Sequence, residues 1–252
     1  MYGDQVITGL VPQLNKRVGM LKTIAKHITK ESLNKFVCGI FYSKLSYCLP
    51  VFGNVFGLEK YKETNQRYTS FTMRDCKKLQ TLQNKVIRLL VDVDPLTPTT
   101  DLLHMTGSLS VHQLVAYQTI IMVRSIIENK KPKYIADKLR PIQGKARLRT
   151  GTGNLNIPQY KLSLSREGFV YRGAYIYNLL DETIKKEENL GKFKDNVKGW
   201  VKRNISIKPK SNFSSISERI QINKPGLRNS NNLAPTLHAS NPITRYFKPL
   251  SN

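Results

Sequence analysis

Acidic residues are scarce in this sequence: 17 Asp plus Glu stand against 41 Lys plus Arg in 252 residues, a formal net charge of +24. A compact chain so basic repels itself, and a polyanionic partner is the usual reason to keep it. Nucleic acid is therefore the first partner class expected, ahead of an anionic membrane surface or an acidic protein. Cysteine is scarce too. Cys38, Cys48 and Cys76 form no CxxC pair, and His27, His104, His112 and His238 are scattered. That excludes a disulfide framework and any regular zinc-ligand spacing, and points to a reduced intracellular protein, nuclear or cytoplasmic. No stretch approaches the roughly 18 apolar residues that span a bilayer, and Met1–Leu10 lacks the basic start and apolar run of a signal peptide. No membrane partner is expected.

Clustered carboxylates are missing as well. Polymerases and nucleases hold two metal ions on converging acids. Here Asp92-Val93-Asp94 is a closely spaced acidic pair, and before Pro95 it reads as a helix-ending turn. An unrecognised polymerase would have to draw on Asp92, Asp94 and Asp101. No double Asp follows a Tyr or Ala, and no glycine-rich phosphate loop of the GxxxxGK[ST] form occurs. The chain alone is expected to be neither an enzyme nor the holder of a metal or other cofactor.

Hydrophobic residues, at 40%, are plentiful enough for a core. Their spacing predicts a mainly α-helical protein. Leu14, Val18, Leu21, Ile24 and Ile28 make one amphipathic stripe. Thr29 is placed to cap a second helix, with an apolar row from Leu33 through Phe41 and Cys48 to Leu49, which Pro50 is expected to stop. Gly53 to Thr72 reads as a loop. Met73, Cys76, Leu79, Leu82, Val86 and Leu89 define a third helix with a basic flank. After the breaks at Pro95 and Pro98, a short helix ends near Gly107. Ser110 and Gln113 have the capping-box spacing and open the most hydrophobic helix, expected at the centre of the core. A basic connection with a short helical turn runs over 130–141, a Gly, Thr, Lys and Arg stretch over 143–156, and an extended segment surrounds Pro158. Helices resume at Phe169–Leu180 and at Leu190–Val201. The expected organisation is a helical thumb-like bundle over 1–128, a basic connector with a smaller C-terminal helical segment over 129–201, and a disordered basic tail over 202–252.

Position and charge nominate phosphate contacts. Lys16, Arg17, Lys22 and Lys26 decorate the first helix, and Arg74, Lys77, Lys78 and Lys85 the third. Lys145, Arg147, Arg149 and Arg172 form a second group. Tyrosines interleave with cations at Tyr160-Lys161, Tyr171-Arg172 and Tyr42-Ser43-Lys44, a mixture suited to stacking on bases beside phosphates. No groove-reading motif for sequence-specific DNA recognition is present.

Five strings carry a resemblance. They are Leu14-Asn15-Lys16-Arg17-Val18-Gly19-Met20-Leu21, then Leu45-Ser46-Tyr47-Cys48-Leu49-Pro50-Val51-Phe52-Gly53-Asn54, then Lys78-Leu79-Gln80-Thr81-Leu82-Gln83-Asn84-Lys85-Val86-Ile87-Arg88-Leu89-Leu90. Thr97-Pro98-Thr99-Thr100-Asp101-Leu102-Leu103 and Phe169-Val170-Tyr171-Arg172-Gly173-Ala174-Tyr175-Ile176-Tyr177-Asn178-Leu179-Leu180 complete the set. In order and spacing they resemble the region that follows the catalytic palm in non-LTR (LINE-type, jockey-like) retrotransposon reverse transcriptases, over about residues 10 to 200. Phe52 and Tyr177 keep aromatic bulk where that family commonly has Trp. The resemblance implies a helical thumb that grips the template–primer of an RNA-directed DNA polymerase. Its partners would be RNA, DNA or an RNA–DNA hybrid and the palm domain missing from this chain, whose carboxylates would bind Mg. A different expectation is a non-catalytic element remnant, a transposable-element relic that serves as a structural or protein-interaction module.

Overall fold

The computed structural model describes residues 3–47, 49–53, 73–142, 153–160 and 168–205. Within them the protein is mainly helical, and no strand forms among the described residues beyond an isolated antiparallel bridge between Pro141 and Leu155. Of the loop expected from Gly53 to Thr72, residues 54–72 lie outside the described residues, as do residues 161–167, where the expected extended segment would continue, and the expected tail beyond 205.

Helix α1 runs Gly3–Ile24, well before the stripe that announced it, and Pro12 sits inside it. Pro12 is on the exposed side, where a missing N–H is least disruptive. Ile7, Leu10, Leu14, Val18 and Leu21 turn inward. Thr29 caps α2 (Lys30–Phe36) as expected, its hydroxyl accepting from the Ser32 amide at 3.3 Å.

The next turns correct the sequence reading. The chain passes into a π-helical segment, Val37–Tyr42, and then the short α3, Ser43–Ser46. It leaves helical geometry at Tyr47, whose ψ is 124°, before reaching Pro50. Pro50 instead lies within α4 (Leu49–Phe52). The first-turn amides of a helix have no partner inside it, so proline starts a helix as readily as it ends one.

Helix α5 (Met73–Val91) packs across α1 and against α6 (Thr99–Thr106). Gly107, at φ 61°, supplies the left-handed stop after α6. The capping box then forms as the spacing predicts. The Gln113 amide donates to Ser110 Oγ at 3.2 Å, and the Ser110 amide donates to Gln113 Oε1 at 3.1 Å. It opens α7 (Val111–Asn129), the central helix, which α4 meets from one side. After the short α8 (Lys133–Ala136), α9 (Phe169–Asn178), α10 (Glu182–Lys185) and α11 (Leu190–Asn204) follow, α9 and α11 both against α7. A single cluster of buried apolar residues extends from Ile7 on α1 to Ile205 after α11, so the residues before and after position 128 share one core. Its close fit is visible where α9 crosses α7: a Cβ on Gly173 would stand 2.7 Å from a methyl of Val123.

Polar groups set the inner face of α5. Gln83 donates to the Leu109 carbonyl at 2.8 Å and to the Tyr42 hydroxyl at 3.1 Å. Gln80 accepts from the Val111 amide at 2.9 Å, and Asn84 donates to the Thr99 hydroxyl at 2.7 Å.

Candidate nucleic-acid interface

On α5, Cys76, Leu79, Leu82, Val86 and Leu90 face the core, which forces the residues between them outward. Arg74, Lys77, Lys78, Thr81 and Lys85 are all exposed. At about 100° per residue they share roughly a third of the helix circumference, and Arg74 to Lys85 spans about 16 Å. This is one cationic row on a rigid element. Its acidic neighbour, Asp75, is buried at 4% exposure and reaches Lys78 at 3.5 Å. Lys78 is thereby partly neutralised, while Arg74, Lys77 and Lys85 carry most of the field of the row.

The four candidates of the first helix are not arranged so. Lys16 lies opposite the buried stripe of α1, while Lys22 and Arg17 flank that stripe on opposite sides. Arg17 is half-buried and donates to the Ile40 carbonyl, joining α1 to the π-helical segment. Lys26 lies beyond the end of α1, in the turn that leads to α2, and is exposed like Lys16 and Lys22. Lys145, Arg147 and Arg149 lie outside the described residues.

Arg172 is a correction. It was expected to meet phosphate, but it is 2% exposed and its guanidinium donates to the carbonyls of Gly53 and, at 2.8 Å, Val51. Those carbonyls end α4, where the last turn of a helix lacks partners and carries partial negative charge. The cation is consumed in joining α9 to α4. A signal for this exists in the sequence: Arg172 falls three residues after Phe169 and four before Ile176, inside the apolar stripe. Its neighbour Tyr171 packs near Tyr160, with ring centroids 6.3 Å apart.

Asp94 follows the turn reading, and Asp101 lies in the first turn of α6. Asp94 accepts from the Leu96 amide at 2.6 Å, as an Asx turn does, and Asp101 accepts from the Thr100 hydroxyl at 3.2 Å. Among the described residues no group of three or more His, Cys, Asp or Glu side chains is placed to hold a metal ion, and no helix is long and apolar enough to cross a membrane.

A further set of cations escaped the sequence reading. Lys194, Lys198 and Lys202 recur every fourth residue on α11, so they share one side of that helix. The spacing alone could have found them. Lys194 and Lys198 border a cleft between α11, α7 and the π-helical segment.

No protein-family model matches this chain, and no curated protein or solved structure matches it either.

Proposed function

We propose that the protein binds RNA or an RNA–DNA hybrid through the phosphate backbone, with α5 as its principal contact, in the manner of a reverse-transcriptase thumb and without polymerising. The observation that carries this reading is the row Arg74, Lys77 and Lys85, exposed on one face of a helix whose acidic residue is turned inward. The net charge of +24 supports it, since a polyanion relieves the self-repulsion of so basic a chain. The five ordered strings resembling non-LTR reverse transcriptases support the choice of a template–primer duplex. Backbone contacts of this kind give affinity without sequence preference.

Fluorescence anisotropy with labelled RNA–DNA hybrid, duplex DNA and single-stranded RNA across a salt series tests the reading. The hybrid should bind tightest. The slope of log affinity against log salt should fall by about 0.9 for each phosphate contact removed in an Arg74→Glu, Lys77→Glu, Lys85→Glu variant. Equal, weak binding to all three nucleic acids, matched by a polylysine control and unmoved by the reversals, overturns it.

A further inference from the structure

The cleft beside α11 has a chemistry that the α5 row lacks. It encloses about 440 Å³, within the range of roughly 300–1,000 Å³ that small ligands occupy. Leu114, Tyr117 and Ile121 of α7 make one wall, and Cys38 and Tyr42 of the π-helical segment face them. These surfaces are apolar and aromatic. Ser46, Ser108 and Gln118 add hydroxyl and amide edges.

The third wall, from α11, carries two cations and one carboxylate: Lys194, Lys198 and the exposed Asp195. Lys194 and Lys198 stand one helical turn apart, and Lys202 follows a turn later, outside the cleft lining. Burial holds Lys198 below the usual lysine range and the nearby Lys202 depresses it further, against a smaller opposing effect of Asp195. Lys202 is also lowered by burial. Ammonium groups crowded at a partly desolvated wall are relieved by an anion between them, while a flat apolar body suits the facing surfaces. An acyl chain would leave the amide and hydroxyl edges unused. A nucleobase would hydrogen-bond to them.

We propose that this cleft holds one unstacked nucleotide, its base between α7 and the π-helical segment and its phosphate at Lys194 and Lys198. The site is separate from the α5 row. Gln83 reaches Tyr42 and Leu109, both of which line the cleft, from the inward side of α5, so the cleft lies across that helix from Arg74, Lys77 and Lys85. The choice of a nucleotide over another flat anion rests on the nucleic-acid reading, but the two sites fail independently.

Cys38 supplies a local reporter, because it lines the cleft and is only half-buried, whereas Cys76 is buried. The full chain is alkylated with iodoacetamide, and the rate is read by mass spectrometry on the peptide that contains Cys38. Adenosine or uridine 5′-monophosphate at about 10 mM should slow the reaction about threefold, as a site with a Kd of about 5 mM would require. Adenosine or inorganic phosphate alone should do little. Lys198→Met should abolish the protection. Gln118→Phe, which fills the cleft, should slow alkylation without nucleotide and leave nucleotide no further effect, so a misfolded Lys198 variant does not decide the matter. Reversal of the α5 row should leave the protection intact even as hybrid binding is lost. A rate indifferent to nucleotide overturns the proposal. So does equal protection by phosphate alone, which would mean an anion contact only, or loss of protection when the α5 row is reversed.

Discussion

Two populations of cation share this chain, and they occupy different regions. Around α7, α9 and α10 they turn inward: Arg124 donates to the carbonyls of Lys185 and Glu187 at 2.7 and 2.9 Å, and Lys185 to Asn154 Oδ1 and the Asn178 carbonyl at 2.7 and 2.9 Å. Arg172 does the same for the end of α4. On α5, Arg74, Lys77 and Lys85 point outward into solvent. The first group joins segments, most of them distant in sequence, by serving acceptors that the fold has drawn partly out of water and that would otherwise lose a partner. The second group holds nothing together. High net charge therefore does not measure binding capacity until the inward-facing cations are set apart.

The sharpest way to break the contrast is to remove one cation from each group. Arg172→Met leaves the buried Gly53 carbonyl and the part-exposed Val51 carbonyl without this donor and should cost about 3–4 kcal/mol with the lost packing of α9 on α4, read as a lower urea midpoint by circular dichroism. Acid should probe the same interior through a different residue. His112 is buried, and that burial lowers its pKa to about 4 from 6.5. Below pH 6.5 the unfolded chain binds a proton that the folded chain refuses, so stability should fall as pH drops and level off near pH 4. The loss is on the order of 3 kcal/mol, and urea midpoints at pH 7, 5.5 and 4 measure it against His112→Leu, in which that part of the slope should vanish. Gly173→Ala pushes a methyl against Val123 and should cost about 1–3 kcal/mol in the same assay. At the other end, Arg74→Glu with Lys77→Glu should change stability by less than about 0.5 kcal/mol per site while weakening hybrid binding. A large loss of stability there would erase the distinction between the two groups.

Much of this architecture was legible where a local rule had no competitor. Thr29, the Ser110–Gln113 box and Gly107 act within one turn of chain, and each does what its spacing predicts. The outward face of α5 was equally plain, because the core stripe leaves its cations nowhere else to go. Pro50 misled for a physical reason: proline forbids one N–H and fixes one angle, and whether that ends a helix depends on which turn it occupies. Arg172 was misplaced because its acceptors, Val51 and Gly53, are brought to it only by tertiary folding. The cleft was illegible for the same reason, since it is assembled from three helical segments far apart in the sequence. The π-helical segment has no signature in the residues Val37–Tyr42 that we can identify.

The polar inner face of α5 has a mechanical consequence. Apolar contact is non-directional, and a helix held by it alone can roll about its axis with little penalty. Gln80, Gln83 and Asn84 fasten α5 to Val111, Leu109 and Thr99, three points on other segments. Directional bonds of this kind fix the azimuth of the helix. Its outer side chains then behave as the teeth of a comb rather than the bristles of a brush. The entropy of aligning their backbone positions is lost once, when the protein folds, and not again at each encounter with a charged strand.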